Sequence, residues 1–198
     1  MESASQILIM VSQLAMGLSL AACAGLRAFL PLFAVGFAGR MDWIPLTSHF
    51  DWLESTPSLI VFGVAVAAEL LADKVPWFDN LLDIFQTFVK PIAGVMAVAA
   101  VLHELTPLQG AVLALVLGGG VAGAVHLGKA KVRLLSTLST GGLANPAVSV
   151  VEEGGAWSLA LAALLVPIIT AAILILLLVA VFWFVRRRRV RLQTFRPA

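Results

Sequence analysis

Charge is what this sequence has least of. Only 12% of its residues are Asp, Glu, Lys or Arg, against 61% hydrophobic, where soluble domains average about 25% charged. A soluble globular domain is thereby excluded, and a mean hydropathy of +1.02 points to an integral membrane protein. A single cysteine excludes an internal disulfide. Signatures of catalysis are missing as well: there is no HExxH pair, no Walker loop and no CxxC, and the only imidazoles are His49, His103 and His126. No enzyme activity, cofactor or metal site is expected. Positive charge is absent from the beginning, since no Lys or Arg precedes Arg27. Leu20–Cys23 (LAAC) resembles a lipoprotein cleavage box, but the basic region that opens a signal peptide is not there. The first apolar segment is therefore expected to remain as a span.

What charge there is lies unevenly. Arg186, Arg187, Arg188, Arg189, Arg191 and Arg196 follow the last apolar run, leaving 7 basic and 11 acidic residues elsewhere, a formal −4. The pI near 9.1 thus describes one tail and gives no reason to invoke nucleic acid. Before the tail runs IITAAILILLLVAVFWFV, long enough to cross about 30 Å of hydrocarbon. An arginine cluster directly beyond a span marks the cytoplasmic side, so the C-terminus is expected in the cytoplasm of a bacterial cell, behind its inner membrane.

Apolar runs and breakers divide the rest of a single integral membrane domain. The first segment, residues 7–38, is too long for one straight crossing and is interrupted by Gly25, Arg27 and Pro31. Residues 39–57 read as a polar loop with Trp43 and Trp52 as interface anchors, and 58–72 as a second span. Phe78, Leu81, Leu82, Phe85, Phe88 and Val89 recur at helical spacing over 77–90, which reads as an interfacial amphipathic helix with Pro76 in its first turn. Its acids Asp79 and Asp83 are expected to face protein, with Lys129, Lys131 and Arg133 as candidate partners. A short third span follows from Pro91, then a tight HELTP turn and a fourth span over 109–127 containing LGGGVAGA. Residues 129–155 mix charge with Gly and Pro and read as a loop or a broken span.

An internal repeat bears on the count. GVAVAAELLADKVP (63–76) laid on GVAGAVHLGKAKVR (120–133) matches at seven of fourteen positions with an offset of 57. KPIAGV (90–95) then falls on NPAVSV (145–150), each opening a fresh apolar run. The chain divides as 1–56 (first span and loop), 57–108 (repeat one), 109–185 (repeat two) and 186–198 (basic tail). If Pro146 opens a span as Pro91 does, the chain turns near Pro167 and crosses six times. That count puts Lys74, Lys90, Lys129, Lys131, Arg133 and the tail on one side, as the positive-inside tendency favours. Five crossings, with one long helix from about 149 to 185, are the alternative. The expected fold is an all-α polytopic bundle of about six spans.

Few residues in such a chain carry chemistry. Glu69 and Asp73 share a helix face four residues apart, and Glu69 lies a turn deeper than Asp73 and Lys74. Its repeat equivalent is His126, with Lys129 three residues on. Ionisable groups within spans are costly and usually face a bundle interior or a water-filled cavity. A carboxylate and an imidazole meeting across the bundle axis would suit a proton relay or a cation site, or would fix helix packing as a buried pair. Arg27 needs a partner too, and Glu152 and Glu153 are the candidates.

These residues also carry a resemblance. GLRAFLPLF, AELLADKVPWFD with KPIAG, HLGKAKVR and NPAVSVVEEG, in that order, resemble the bacterial membrane proteins grouped as domain of unknown function 4126. The resemblance implies a compact multi-pass protein whose characteristic residues are Arg27, Pro31, Glu69, Asp73, Lys74, Pro76, Asp79, Pro91, His126, Lys129, Arg133, Asn145, Pro146, Ser149 and Glu152. It implies no activity. The function expected is a small transporter or channel for an ion or small polar solute, with a non-transporting structural or assembly protein as the alternative. Expected partners are the lipid bilayer, the unknown solute and further copies of the chain, since six short spans make a thin wall around any pore.

Overall fold

A computed structural model describes residues 2–72, 76–141 and 143–193, with side chains described outside 1–3, 73–84, 145–146, 178, 181–182 and 184–193. Among them every regular element is helical, with no strand. In order it runs α1 (Glu2–Leu26), α2 (Leu30–Arg40), a 3₁₀ segment (Ser48–Glu54), α3 (Thr56–Ala72), α4 (Pro76–Val101), α5 (Pro107–Leu113), a π-helical turn (Ala114–Gly119), α6 (Gly120–Thr140), α7 (Asn145–Leu165) and α8 (Pro167–Gln193). Three described stretches are long and apolar enough to cross a membrane: Ala4–Leu26, Pro107–Thr140 and Ala147–Leu165. The 3₁₀ segment and α3, bent by 68° at their junction, make a fourth if taken together. Leu30–Arg40, Phe85–Val101 and Pro167–Leu177 are shorter apolar helices.

α1 is the hub, packing on α4, α6, α7 and α8. It runs antiparallel to α4: Gln13 bonds His103 just beyond the end of α4, and Gly17 lies against Val98. The Gln13 amide is used at both ends, its Nε2 2.9 Å from His103 Nε2 and its Oε1 accepting from the Glu104 N–H at 3.3 Å. The HELTP turn is thereby tied to α1, and Thr106 and Gln109 form a capping box that starts α5.

The interruption expected over residues 25–31 is present, with the helix broken at 27–29, but the chain does not continue onward as one interrupted crossing. It doubles back. After α2, Thr47 donates to the carbonyls of Ala99 and Ala100 at 3.0 and 3.2 Å, beside the same end of α4 that Gln13 reaches. The start of α1 and the end of α2 thus lie on one side, with Arg27–Phe29 at the tip of the hairpin. α2 has 11 residues, about 16 Å at 1.5 Å per residue, roughly half the hydrocarbon thickness.

Two other expectations change. No boundary falls at Pro91, which lies inside a continuous α4, so the amphipathic stretch 77–90 is the first half of that helix and not a separate interfacial element. Proline removes one donor and frees one carbonyl, a loss that neighbouring protein can absorb inside a bundle. Residues 129–140 are likewise not a loop, because α6 runs on to Thr140 and ends at Gly141 with φ +62, a left-handed cap that glycine adopts without strain. Asn145 opens α7, and the chain breaks at Val166 before Pro167. There the Thr170 hydroxyl donates to the carbonyl of Ala162, eight residues back, at 2.9 Å. A straight helix would separate those positions by about 12 Å, so the chain folds sharply and the single long helix over 149–185 does not form.

Glycines set the closest crossings. A Cβ on Gly94 would stand 2.4 Å from the Gly118 carbonyl oxygen, and one on Gly118 would stand 2.5 Å from that of Gly94. α4 and the π turn therefore meet backbone to backbone, the use of small residues expected between membrane helices.

Candidate functional site

The apolar bundle contains one deeply buried polar layer, built where α1 breaks. The first N–H groups of any helix lack internal partners and carry the positive end of its dipole. Just ahead of α2, in the break itself, the N–H groups of Ala28 and Phe29 are met by Glu69, from the last turns of α3. Its Oε1 accepts from the Ala28 N–H at 2.9 Å and its Oε2 from the Phe29 N–H at 3.4 Å. Gln86 of α4 donates through Nε2 to Oε1 at 3.1 Å. Arg27 Nη1 donates to the Glu69 main-chain carbonyl at 3.2 Å. Arg27 is 3% exposed and Glu69 2%, so two ionisable side chains and a broken backbone are brought together away from solvent.

α4 carries the layer onward. Lys90, one helical turn beyond Gln86, is fully buried, and its Nζ lies 3.2 Å from His126 Nδ1 on α6. The other ring nitrogen, Nε2, lies 3.3 Å from the Thr87 hydroxyl. Lys90 stands about 20 Å from the His103 turn along α4, and residues 91–102 between them contain no ionisable group. The layer therefore sits well within the apolar thickness.

A second cluster lies a turn or two further along α6. Lys129 Nζ is 3.2 Å from Glu152 Oε2, and Arg133 Nη2 donates to the same oxygen at 3.3 Å. Lys129 and Arg133 are four apart and share a face, which lets one carboxylate of α7 bind both.

Several sequence expectations are sharpened or replaced. Glu69 and His126 belong to one layer but do not touch, because α4 stands between them and offers Gln86 to one and Thr87 with Lys90 to the other. Glu152 is not the partner of Arg27, since it is engaged with Lys129 and Arg133, which reach it from the facing helix. Asp73 and Lys74 lie outside the described residues, as do the side chains of Asp79, Asp83, Pro76, Asn145 and Pro146. Pro31 falls at the start of α2, where its missing N–H costs nothing. Sequence reasoning missed Gln86, Thr87 and Lys90. Their signal was present as polar positions at i, i+1 and i+4 on the amphipathic stretch. Reading Pro91 as a helix boundary moved them to the surface.

All the functional groups of this layer give or take hydrogen bonds. Among the described residues no three His, Cys, Asp or Glu side chains gather as a metal site. A family model described as a domain of unknown function (DUF4126) matches residues 14–187. No curated protein and no solved structure matches the chain.

Proposed function

Since the chain belongs to the DUF4126 family, whose description carries no activity, we propose a function from the buried layer: the protein moves an ion or a small polar solute across a membrane, and catalyses no reaction. The observation that carries this reading is the Glu69 carboxylate capping a helix break inside the bundle. Discontinuous helices whose ends meet ionisable groups within the membrane are how many transporters build their sites. Arg27, Glu69, Lys90 and His126 line the pathway, and Lys129, Arg133 and Glu152 form a charged gate on the side to which α6 descends. That side is the cytoplasm of a bacterial inner membrane, on the ground that Lys129, Lys131 and Arg133 follow one another along α6 there, as the positive-inside tendency favours. The first leg of the repeat favours the same arrangement, since Glu69 and His126 occupy matching positions of 63–76 and 120–133, although Pro91 lies inside α4 whereas its counterpart Pro146 stands in the first turn of α7. Lipid surrounds the bundle, and further copies of the chain complete the wall of the pathway.

Flux of ions and small solutes into proteoliposomes, wild type against Glu69→Gln, tests the proposal. Transport predicts flux above empty vesicles that Glu69→Gln diminishes; both proteins at the level of empty vesicles would sink it. The second reading, a structural or assembly protein, is favoured by the close Lys129–Glu152–Arg133 pairing and the Gly94–Gly118 contact. It predicts unimpaired helix packing and no flux.

A further inference from the structure

We infer that the ion handled at this layer is the proton, and that the Lys90–His126 pair is where it passes. The inference rests on the transport reading and narrows it. Its ground is the bonding of the imidazole. An ammonium has three donors and no lone pair, so at 3.2 Å from Nδ1 it can only give a hydrogen bond to that nitrogen. With Lys90 as the ammonium, the ring hydrogen is assigned to Nε2, directed at the Thr87 hydroxyl 3.3 Å away. Both nitrogens are engaged, one by a donor and one by a group that can accept and pass on a hydrogen. An imidazole held in this way is wired to relay a proton. It is badly placed to bind a metal cation, which would need the Nδ1 lone pair and would face the charge of Lys90.

The step needs no co-reactant but water. The N–H bond of Lys90 Nζ breaks as a bond to His126 Nδ1 forms, leaving a neutral amine beside an imidazolium with the pair still at one positive charge. The Nε2–H bond then breaks toward Thr87 Oγ1, whose hydroxyl gives its own proton to water on its exposed side, and the pair becomes neutral. A proton from water taken up at Lys90 Nζ, and exchange of the imidazole tautomer through water (Nδ1–H lost, Nε2–H gained), restore the starting state. Other charged groups bound the layer from the packed elements. Among the described residues these are Glu69 on α3, reached through Gln86; Arg27 at the break; Lys129 on the next turn of α6; and Glu152 on α7. Gln86 and Lys90 sit one turn apart on α4, so a change of charge at the pair acts on the same helix that holds the Glu69 carboxylate.

Lysine can surrender its proton, whereas arginine stays charged in proteins, and that difference makes the test. Full-length protein is reconstituted in phosphatidylethanolamine–phosphatidylglycerol vesicles loaded with a pH-sensitive dye, and a pH step is imposed with the membrane potential clamped by potassium and valinomycin. Wild type is expected to dissipate the step faster than empty vesicles. Lys90→Met, His126→Gln and Lys90→Arg are all expected to fall to the empty-vesicle level. Lys90→Arg keeps charge and reach, so helix content by circular dichroism and monodisperse elution separate loss of the relay from loss of the fold. A well-folded Lys90→Arg that matches wild type overturns the inference, because charge alone would then suffice. Absence of wild-type proton flux overturns it too; the transport reading then stands or falls on potassium, sodium and solute flux in the same vesicles.

Discussion

Replacing Glu69 by Ala and by Gln separates its structural work from its chemical work. Glu69→Ala removes the acceptor of three buried donors: the Ala28 N–H at 2.9 Å, Gln86 Nε2 at 3.1 Å and the Phe29 N–H at 3.4 Å. An unsatisfied buried donor costs about 1–3 kcal/mol; the long Phe29 bond contributes least, so the total is roughly 3–6 kcal/mol. Glu69→Gln keeps a carbonyl oxygen where Oε1 stood, and with it the Ala28 and Gln86 bonds. It loses the weakest bond and the attraction between a negative charge and a helix N-terminus, together about 1–2 kcal/mol. Five tryptophans make intrinsic fluorescence in detergent a suitable melting assay. At roughly 2–4 °C per kcal/mol for a chain of this length, Glu69→Gln should lower the apparent Tm by about 2–8 °C, and Glu69→Ala by about three times as much. Equal shifts for the two variants would refute the claim that this carboxylate caps the break. The proposed transport role adds that Glu69→Gln loses flux out of proportion to its small loss of stability.

Three further outcomes follow from the packing and topology. Gly94→Ala or Gly118→Ala drives a methyl to within 2.4–2.5 Å of a backbone oxygen and should destabilise by about 1–3 kcal/mol. Gly120→Ala and Gly128→Ala, with nothing within 4 Å, should be neutral or gain up to about 1 kcal/mol of helix propensity; melting curves of the four variants check the contrast. In a double-mutant cycle of Lys129→Met with Glu152→Gln, the interaction energy should be about 1–3 kcal/mol, and additive effects would show the pair to be idle. Doubling back at Arg27 requires Ser5→Cys and Met41→Cys to react with an impermeant thiol reagent from the same side of the membrane, and Lys131→Cys from the other. Because Cys23, the native thiol, is fully buried, it adds no background. Labelling of Ser5→Cys and Met41→Cys from opposite sides would restore a single crossing.

Local breakers and depth were legible in the sequence; partners were not. Gly25, Arg27 and Pro31 announce the broken helix, the HELTP turn announces itself, and Pro167 marks the last fold in the chain, because each works through its own backbone. Glu69 stands out as an acid within an apolar run. What it binds depends on α2 and α4, which reach it through tertiary packing that no local pattern encodes. Proline at 91 shows the same limit from the other side: its local preference is to end a helix, and bundle packing overrides it. That error carried Lys90, the most completely buried charged residue described, out of the expected site. On charge alone Glu152 is, with Glu153, a candidate partner for Arg27, whereas geometry gives Glu152 to two cations four residues apart on a facing helix.

The hairpin at Arg27 also dictates an order of events during synthesis. Ala28 precedes its cap Glu69 by 41 residues, and Cys23 precedes the Ala156 carbonyl it bonds by 133. At about 5–20 residues per second, the open backbone at the tip of the hairpin waits roughly 2–8 seconds for its carboxylate. α2 is too short to anchor itself across the bilayer in that interval. Until α3 arrives the nascent break lacks the carboxylate that satisfies it in the finished fold, so a ribosome stalled between the two helices would hold this chain with that backbone uncapped.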